Sequence, residues 1–323
     1  MITCPICKNK EDVKFLDDYK LEIKEDKKIF KDAKIYHCSN CDFGFVNPIP
    51  KEDDLNYFYK HLYRSLNRPP YWMTENYEDL KRYHLEDKNL NYLLYLTTLI
   101  NLSKIENLYD FGGGYGDLGF LLKKKFSDLK LFCTENDDNC KKILKERGYI
   151  NFENFKDINT KFDLIVTTHS LEHLTNIDIF SKFNDILNPN GFLFFEVPNC
   201  PKEYFQGRPY DSPHLLFFTS KSMHKIAKMH NMEFVNFSYS SYSFDDDHKY
   251  QRESQNLYEE LNKSKFSSAK IKQMLKKIVP NSLINLRRNF LEKRDVKNEE
   301  RANWFASNTG DNCYIRGIFK KKI

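Results

Sequence analysis

The stretch from Leu108 to Gly119, LYDFGGGYGDLG, constrains the fold of this chain more than any other. An apolar run ends in Asp110, glycines follow at 112, 113, 114, 116 and 119, and Leu118, Phe120, Leu121 and Leu122 then read as helix. The pattern predicts a strand, a tight turn and a helix start. Glycine permits a positive φ and lets a ligand approach the backbone, while a helix N-terminus offers unpaired N–H groups. Such a turn is built to hold a ligand.

Two ligand classes use this architecture. Gly114, Gly116 and Gly119 satisfy the dinucleotide fingerprint G-x-G-x-x-G, and Glu135 stands roughly 20 residues on, where a ribose-binding acid belongs. Asp110, Gly112, Gly114 and Gly116 satisfy D-x-G-x-G-x-G, which resembles the first motif of the class I S-adenosyl-L-methionine (SAM) methyltransferases. The carboxylate separates the two. A pyrophosphate would meet like charge at Asp110, whereas the ammonium and sulfonium of SAM would find a partner there. The expected cofactor is SAM, not NAD.

The chain of 323 residues is long enough for a sizeable core, and 40% apolar content with 15% aromatics marks it as folded. Its formal charge of +5 is spread through Lys-rich and Asn-rich sequence without a long basic block, so nucleic acid is not an expected partner. No apolar run reaches membrane-spanning length and no signal-peptide pattern opens the chain. A cytoplasmic protein without a membrane span is expected.

Eight cysteines in such a chain are expected to be reduced or metal-bound. Four of them form two knuckles, Cys4-Pro5-Ile6-Cys7 and Cys38-Ser39-Asn40-Cys41, flanking a segment with Val13, Phe15 and Ile35. Thiolates spaced this way on tight turns can share one Zn²⁺ tetrahedrally, which reads as a zinc ribbon. Four sulfurs close the coordination sphere, so the zinc would be structural. Cys133, Cys140, Cys200 and Cys313 show no pairing pattern and read as core or surface thiols.

Downstream of the glycine turn, β and α patterns alternate. Leu129 to Thr134 reads as a strand whose carboxyl end presents Glu135, placed to accept the ribose hydroxyls of an adenosine. A helix from Asn139 to Arg147 ends at Gly148, and Tyr149 to Phe152 reads as the third strand. Phe162 to Thr168 is a buried strand, with His169, Ser170, Leu171, Glu172 and His173 beyond its carboxyl end, where doubly wound sheets bind ligands. Asn188-Pro189-Asn190-Gly191 reads as a turn, Phe192 to Val197 as the next strand, and Ser220 as the cap of a helix reaching about His230 before a strand near Phe234 to Phe237.

The segments LEH, NPNG and EVPN in this order resemble those of the class I methyltransferases. With the cysteine knuckles, the NPIP turn and PYDSPHLLFFTS added, residues 1 to about 240 look like the zinc-ribbon-bearing members that act on small molecules, including sugar C- and O-methyltransferases. In the sugar C-methyltransferases a Y-x-E-H segment supplies catalytic groups. The equivalent here is Tyr210-Asp211-Ser212-Pro213-His214: the histidine carries over, the glutamate does not, and Tyr210 is one residue out of place. That departure speaks against C-methylation.

The expected fold is therefore an α/β, Rossmann-like seven-stranded methyltransferase sheet whose last strand is antiparallel. Residues 1–50 would form the zinc ribbon, 51–104 an aromatic and helical arm, 105–240 the SAM-binding core, 241–310 a helical insertion and 311–323 the final strand. Tyr63, Tyr71 and Trp72 lie in the arm, and helical spacing runs from Tyr77 to Leu102. Asp245-Asp246-Asp247-His248 at the entrance to the insertion reads as a solvated loop.

Methyl transfer from a sulfonium is an in-line displacement that needs the acceptor held behind the methyl carbon and, for a hydroxyl, a group to remove its proton. His214 is the first candidate base, His173 the second, and Tyr63 a further acceptor-side group. Asp110, Gly112, Gly114, Gly116, Glu135 and His169 form the expected cofactor set, and Cys4, Cys7, Cys38 and Cys41 the metal set. The resemblance implies a small hydroxylated acceptor, a sugar or nucleotide-linked sugar of surface-glycan biosynthesis. The alternatives are a sugar C- or N-methyltransferase and a non-catalytic SAM-binding interaction protein.

Overall fold

A computed structural model describes residues 2–19, 26–63, 85–205, 213–240 and 313–322. The chain opens with β1 (Val13–Asp18), a single helical turn α1 (Asp26–Ile29), β2 (Lys34–Cys38), β3 (Phe43–Asn47) and α2 (Glu52–His61), and continues after a gap with α3 (Leu85–Leu99). The core follows as β4 (Asn107–Phe111), α4 (Asp117–Lys125), β5 (Lys130–Thr134), α5 (Asp138–Glu146), β6 (Tyr149–Asn151), β7 (Phe162–Thr168), α6 (Ile179–Ile186) and β8 (Leu187–Pro198). The short β9 (Leu216–Phe217), α7 (Ser220–Met229), β10 (Met232–Ser240) and β11 (Tyr314–Lys321) complete it.

Seven strands form one sheet in the order β10-β11-β8-β7-β4-β5-β6. Strands β6, β5, β4, β7 and β8 run parallel, and β11 inserts antiparallel between β8 and β10. This is the expected methyltransferase-type sheet. Its central strands read as continuous apolar runs because helices cover both faces. On one side Leu93 and Leu96 of α3 and Leu118 and Leu122 of α4 pack against Leu108 and Leu164; on the other, Phe180 and Phe183 of α6 join Met223 and Ile226 of α7. Burial of each such side chain contributes about 1.5–3 kcal/mol. The second sheet, β1-β2-β3-β9, is antiparallel and takes its last strand from far along the chain.

Two local expectations are revised. Thr219, not Ser220, caps α7: its hydroxyl accepts Ser222 N–H while Ser222 Oγ accepts Thr219 N–H, so Ser220 is the first helical residue. The Asn188–Gly191 turn interrupts β8 rather than preceding it, since Phe162 pairs with Leu187 and Leu164 already with Phe192. The arm residues Tyr71 and Trp72, the helical reading before Leu85, Tyr210, the Asp245–His248 acids and the insertion over 241–310 lie outside the described residues. No helix among the described residues is long and apolar enough to cross a membrane.

A fully buried ion pair joins the last strand to the rest. Arg316 of β11 lies directly opposite Glu196 of β8, and its Nε and Nη2 sit 2.7 and 2.6 Å from Glu196 Oε2. Ser240 Oγ and Tyr92 Oη donate to the same carboxylate at 2.7 and 2.5 Å, and Arg316 Nη1 reaches Asn91 Oδ1 at 2.6 Å. Burial alone would raise the Glu196 carboxyl, but Arg316 and Lys88 hold it well below the usual carboxylate range. Arg316→Met would leave a buried carboxylate stripped of its main countercharge, and a loss of ~3–5 kcal/mol is expected in chemical denaturation; a loss below ~1 kcal/mol would show that the remaining donors suffice.

Candidate active site

The glycine turn lies between the carboxyl end of β4 and the N-terminus of α4. Gly112, Gly114 and Gly116 all have positive φ, at 68°, 53° and 70°. At two of them the surroundings demand glycine as well: a Cβ on Gly112 would run into the Ser170 side chain, and one on Gly116 would lie 2.6 Å from both Leu144 and Tyr149. Gly112 N–H donates to Thr134 O, and Tyr149 Oη donates to Gly116 O, which ties the turn to the neighbouring strands.

Two carboxylates lie at this turn in different surroundings. Glu135 follows β5; its Oε2 accepts Gly114 N–H at 2.8 Å, and its Oε1 accepts the N–H groups of Asn136 and Asp137 at 2.8 and 2.9 Å. It therefore clamps the loop. Asp110 is buried in β4 with Glu135 and Asp117 nearby, and only the Tyr149 hydroxyl favours its charge. Burial first, then those two acids, push its carboxyl up to about 7. Arg147 takes care of Asp117, at 2.6 Å. Asp110 is thus a carboxyl whose ionisation a nearby cation would favour.

Beyond β7 the chain turns sharply at His169, whose φ is 53°, and a single 3₁₀ turn, Leu171–His173, follows. Ser170 Oγ lies 3.3 Å from Gly112 O, so this mouth adjoins the glycine turn. The structure brings the three acceptor-side candidates together there. The imidazoles of His173 and His214 are 4.9 Å apart, and the Tyr63 ring, just past α2, is 5.6 Å from His173. His214 is fixed through its backbone: Tyr19 Oη donates to its carbonyl at 2.8 Å, and the next residue, Leu215, donates its N–H to Glu172 O at 2.7 Å.

Sequence reasoning passed over several partners. Tyr59 Oη lies 3.2 Å from His173 Nδ1. Glu172, 1% exposed, stands among His169, His173 and His214; burial would raise its carboxyl, but these imidazoles hold it at about 2. His169 Nε2 lies 2.6 Å from Lys88 Nζ and 3.2 Å from Glu196 Oε1. Burial lowers the Lys88 ammonium despite Glu196. The only sequence signal for this group was a lone charge in each of two apolar strands, Glu196 in FLFFEVP and Arg316 in YIRGIF.

The cysteine knuckles also converge: the sulfurs of Cys4, Cys7, Cys38 and Cys41 all lie within 4.8 Å of one another. Burial drives the Cys4 thiol far above its usual range and that of Cys41 up to about 12, while at half-buried Cys7 burial is outweighed by the Asn9 backbone and hydrogen bonds with the other three sulfurs, which lower the thiol. Lys225 Nζ lies 3.7 Å from Cys41 Sγ.

Residues 80–236 match the family model described as a methyltransferase domain. No curated protein matches the chain in sequence. Among solved structures, the chain is similar to the O-methyltransferase from the trans-AT PKS multienzyme of Brevibacillus brevis in complex with S-adenosyl-L-homocysteine, at 15% identity over 77% of this chain and 78% of that one, with a TM-score of 0.44. It is likewise similar to the StiE O-MT (17% identity, 77% and 78% covered, TM-score 0.42) and to coclaurine N-methyltransferase bound to N-methylheliamine and SAH (15%, 73% and 72%, TM-score 0.42). The family match, lying on a sheet of methyltransferase strand order, gives this chain a methyltransferase domain over residues 80–236 and marks it as an enzyme.

Proposed function

We propose that the protein transfers a methyl group from SAM to a hydroxyl of a small acceptor, a sugar or nucleotide-linked sugar. The observation that carries this reading is the buried Asp110 carboxyl at the glycine turn, with the His173 and His214 pair at the adjoining strand mouth. SAM, when bound, supplies an electrophilic methyl on a sulfonium. Asp110 would receive its positive charge, Glu135 its ribose hydroxyls, and Gly112, Gly114 and Gly116, all at positive φ, shape the turn that would hold it. His169, at the sharp turn after β7, is assigned to the same cofactor side.

On the acceptor side, Tyr59 and Tyr63 offer ring faces suited to the apolar face of a sugar, beside imidazoles able to meet its hydroxyls. An alcohol keeps its proton at neutral pH, so its activation falls to His214 and His173 with Tyr63 alongside. The four cysteines fit a structural Zn²⁺: they offer a complete thiolate set, and Lys225 offsets the excess negative charge that four thiolates would bring.

Three outcomes test these assignments. Calorimetry should detect SAM and not NAD, and Asp110→Ala or Glu135→Ala should weaken SAM by ~1–3 kcal/mol. Because burial raises the Asp110 carboxyl to about 7, it is mostly neutral below that pH. SAM affinity should therefore fall roughly tenfold per pH unit below about 7 and level off above it. Asp110→Asn should abolish that slope; a slope that survives in the variant assigns it to another group.

Metal analysis of purified protein should find zinc in the thiolate site, and Cys38→Ser should lose it and destabilise the N-terminal sheet. Full zinc content in that variant would place the ligands elsewhere.

Labelled SAM incubated with a panel of sugars, nucleotide sugars and glycan intermediates should give an O-methylated product. His214→Ala should slow transfer ~10²- to 10⁴-fold at saturating acceptor, with SAM affinity unchanged. Label on carbon or nitrogen would overturn the hydroxyl assignment, and near wild-type turnover would remove His214 from it.

A further inference from the structure

The 3₁₀ turn after β7 holds an oxygen that the arrangement around it leaves unused. Glu172 is 1% exposed, and its Oε2 is buried with no hydrogen-bond partner. A buried carboxylate oxygen without a donor is costly. An imidazolium pointing at Oε2 would satisfy it, yet neither neighbouring ring makes that bond. Even so, a ligating nitrogen of His173, one of His214 and a carboxylate oxygen of Glu172 all lie within 4.8 Å of one another.

Each of the three residues has a partner outside the cluster, which for His214 is through its carbonyl. Glu172 Oε1 is 3.5 Å from His169 Nδ1, on the side away from the unpartnered oxygen. His173 Nδ1 is 3.2 Å from Tyr59 Oη. The main-chain bond from Leu215 N–H to Glu172 O fastens the His214 segment to the Glu172 turn, and Tyr19 anchors the His214 carbonyl. Outer partners that fix ring orientation and tautomer are what metal-ligating histidines require. Two imidazoles and one carboxylate suit divalent first-row transition ions better than Mg²⁺ or Ca²⁺, and leave coordination positions open.

We propose that Glu172, His173 and His214 form a binding site for a divalent first-row transition-metal ion, separate from the four-cysteine site, with its open positions toward the acceptor. Its placement beside an acceptor rests on the methyltransferase reading; the site itself does not. The acceptor hydroxyl would bind the ion through oxygen and release its proton to water. That oxygen then forms its bond to the methyl carbon as the carbon–sulfur bond breaks, the electron pair remaining on sulfur. His214 and His173 act on the hydroxyl through the ion as ligands, and vicinal hydroxyls, able to occupy two positions, become the favoured acceptor class.

The test uses the full chain without SAM or acceptor, so its outcome is independent of whether methyl transfer occurs. Cobalt(II) is titrated into zinc-loaded protein and followed by metal analysis and absorption. One further equivalent per chain is expected, with weak d–d bands and none of the intense thiolate-to-metal bands of a sulfur site. Tyr59→Phe should weaken cobalt binding about 10- to 100-fold, the usual effect of losing an outer-sphere partner. Glu172→Gln and His214→Ala should lose the second equivalent while keeping the zinc, whose retention reports that the chain is folded. A wild-type protein that takes up no cobalt beyond the four-cysteine site overturns the proposal. So does a second equivalent that survives in both folded ligand variants.

Discussion

The ion pair between Glu196 and Arg316 decides how the carboxyl end of the sheet is built. It spans the one place where a parallel sheet receives an antiparallel strand, between residues paired directly across β8 and β11. Both charges are completely buried, so the cost of leaving water is met only because five further groups converge on them: Tyr92, Ser240, Asn91, Lys88 and His169. A fully satisfied polar network in an apolar interior tolerates little displacement. Its last member, His169, is also held by a main-chain bond to Glu196 O, so the sharp exit from β7 inherits its position from the pair. The turn carrying Ser170, Glu172 and His173 starts from there.

The two ends of the site solve opposite electrostatic problems. At the glycine turn, acids gather with little to neutralise them. Arg147 answers Asp117 and backbone N–H groups answer Glu135, which leaves Asp110 as the uncompensated charge. At the mouth of β7, a buried carboxylate is surrounded by imidazoles and stays ionised, held at about 2. One end is poised to gain a cation and the other already keeps an anion, and Ser170 packs between them against Gly112. On the function proposed above, a cationic donor and a hydroxylic acceptor would be sorted by this contrast before any shape is considered.

What could be read from the sequence was what depends on near neighbours. The glycine turn and the strands around it were legible because strand, turn and helix signals lie within a dozen residues, whereas the candidacy of His214 came from a resemblance to the sugar methyltransferases. The cysteine knuckles were legible because two residues of spacing already fix a chelating turn. The pairing of Glu196 with Arg316 was not: each is one polar residue in an apolar strand, and only the fold brings them together across 120 positions. Glu172 was hidden for another reason. Its main-chain partner, Leu215, comes from far along the chain, a contact that no local pattern encodes. Even the cap of α7 turned on a tertiary contact, since the Thr219 hydroxyl also reaches Asp42 O at 2.6 Å.

That last contact belongs to a wider coupling between the cysteine sheet and the site. Phe217 and Leu216 of β9 complete the N-terminal sheet by pairing with Gly44 and Phe45, and Val46 N–H donates to Leu215 O. The segment that carries His214 is therefore gripped on one side by β3, which begins two residues past Cys41, and on the other by the Glu172 turn. A four-sulfur site would fix Cys38 and Cys41 at the two ends of the β2–β3 turn, and with them the edge on which β9 docks. On this geometry the cysteine sheet works less as an appended module than as one wall beside the His173 and His214 pair. Loosening it would release one of the two grips on the segment that carries His214.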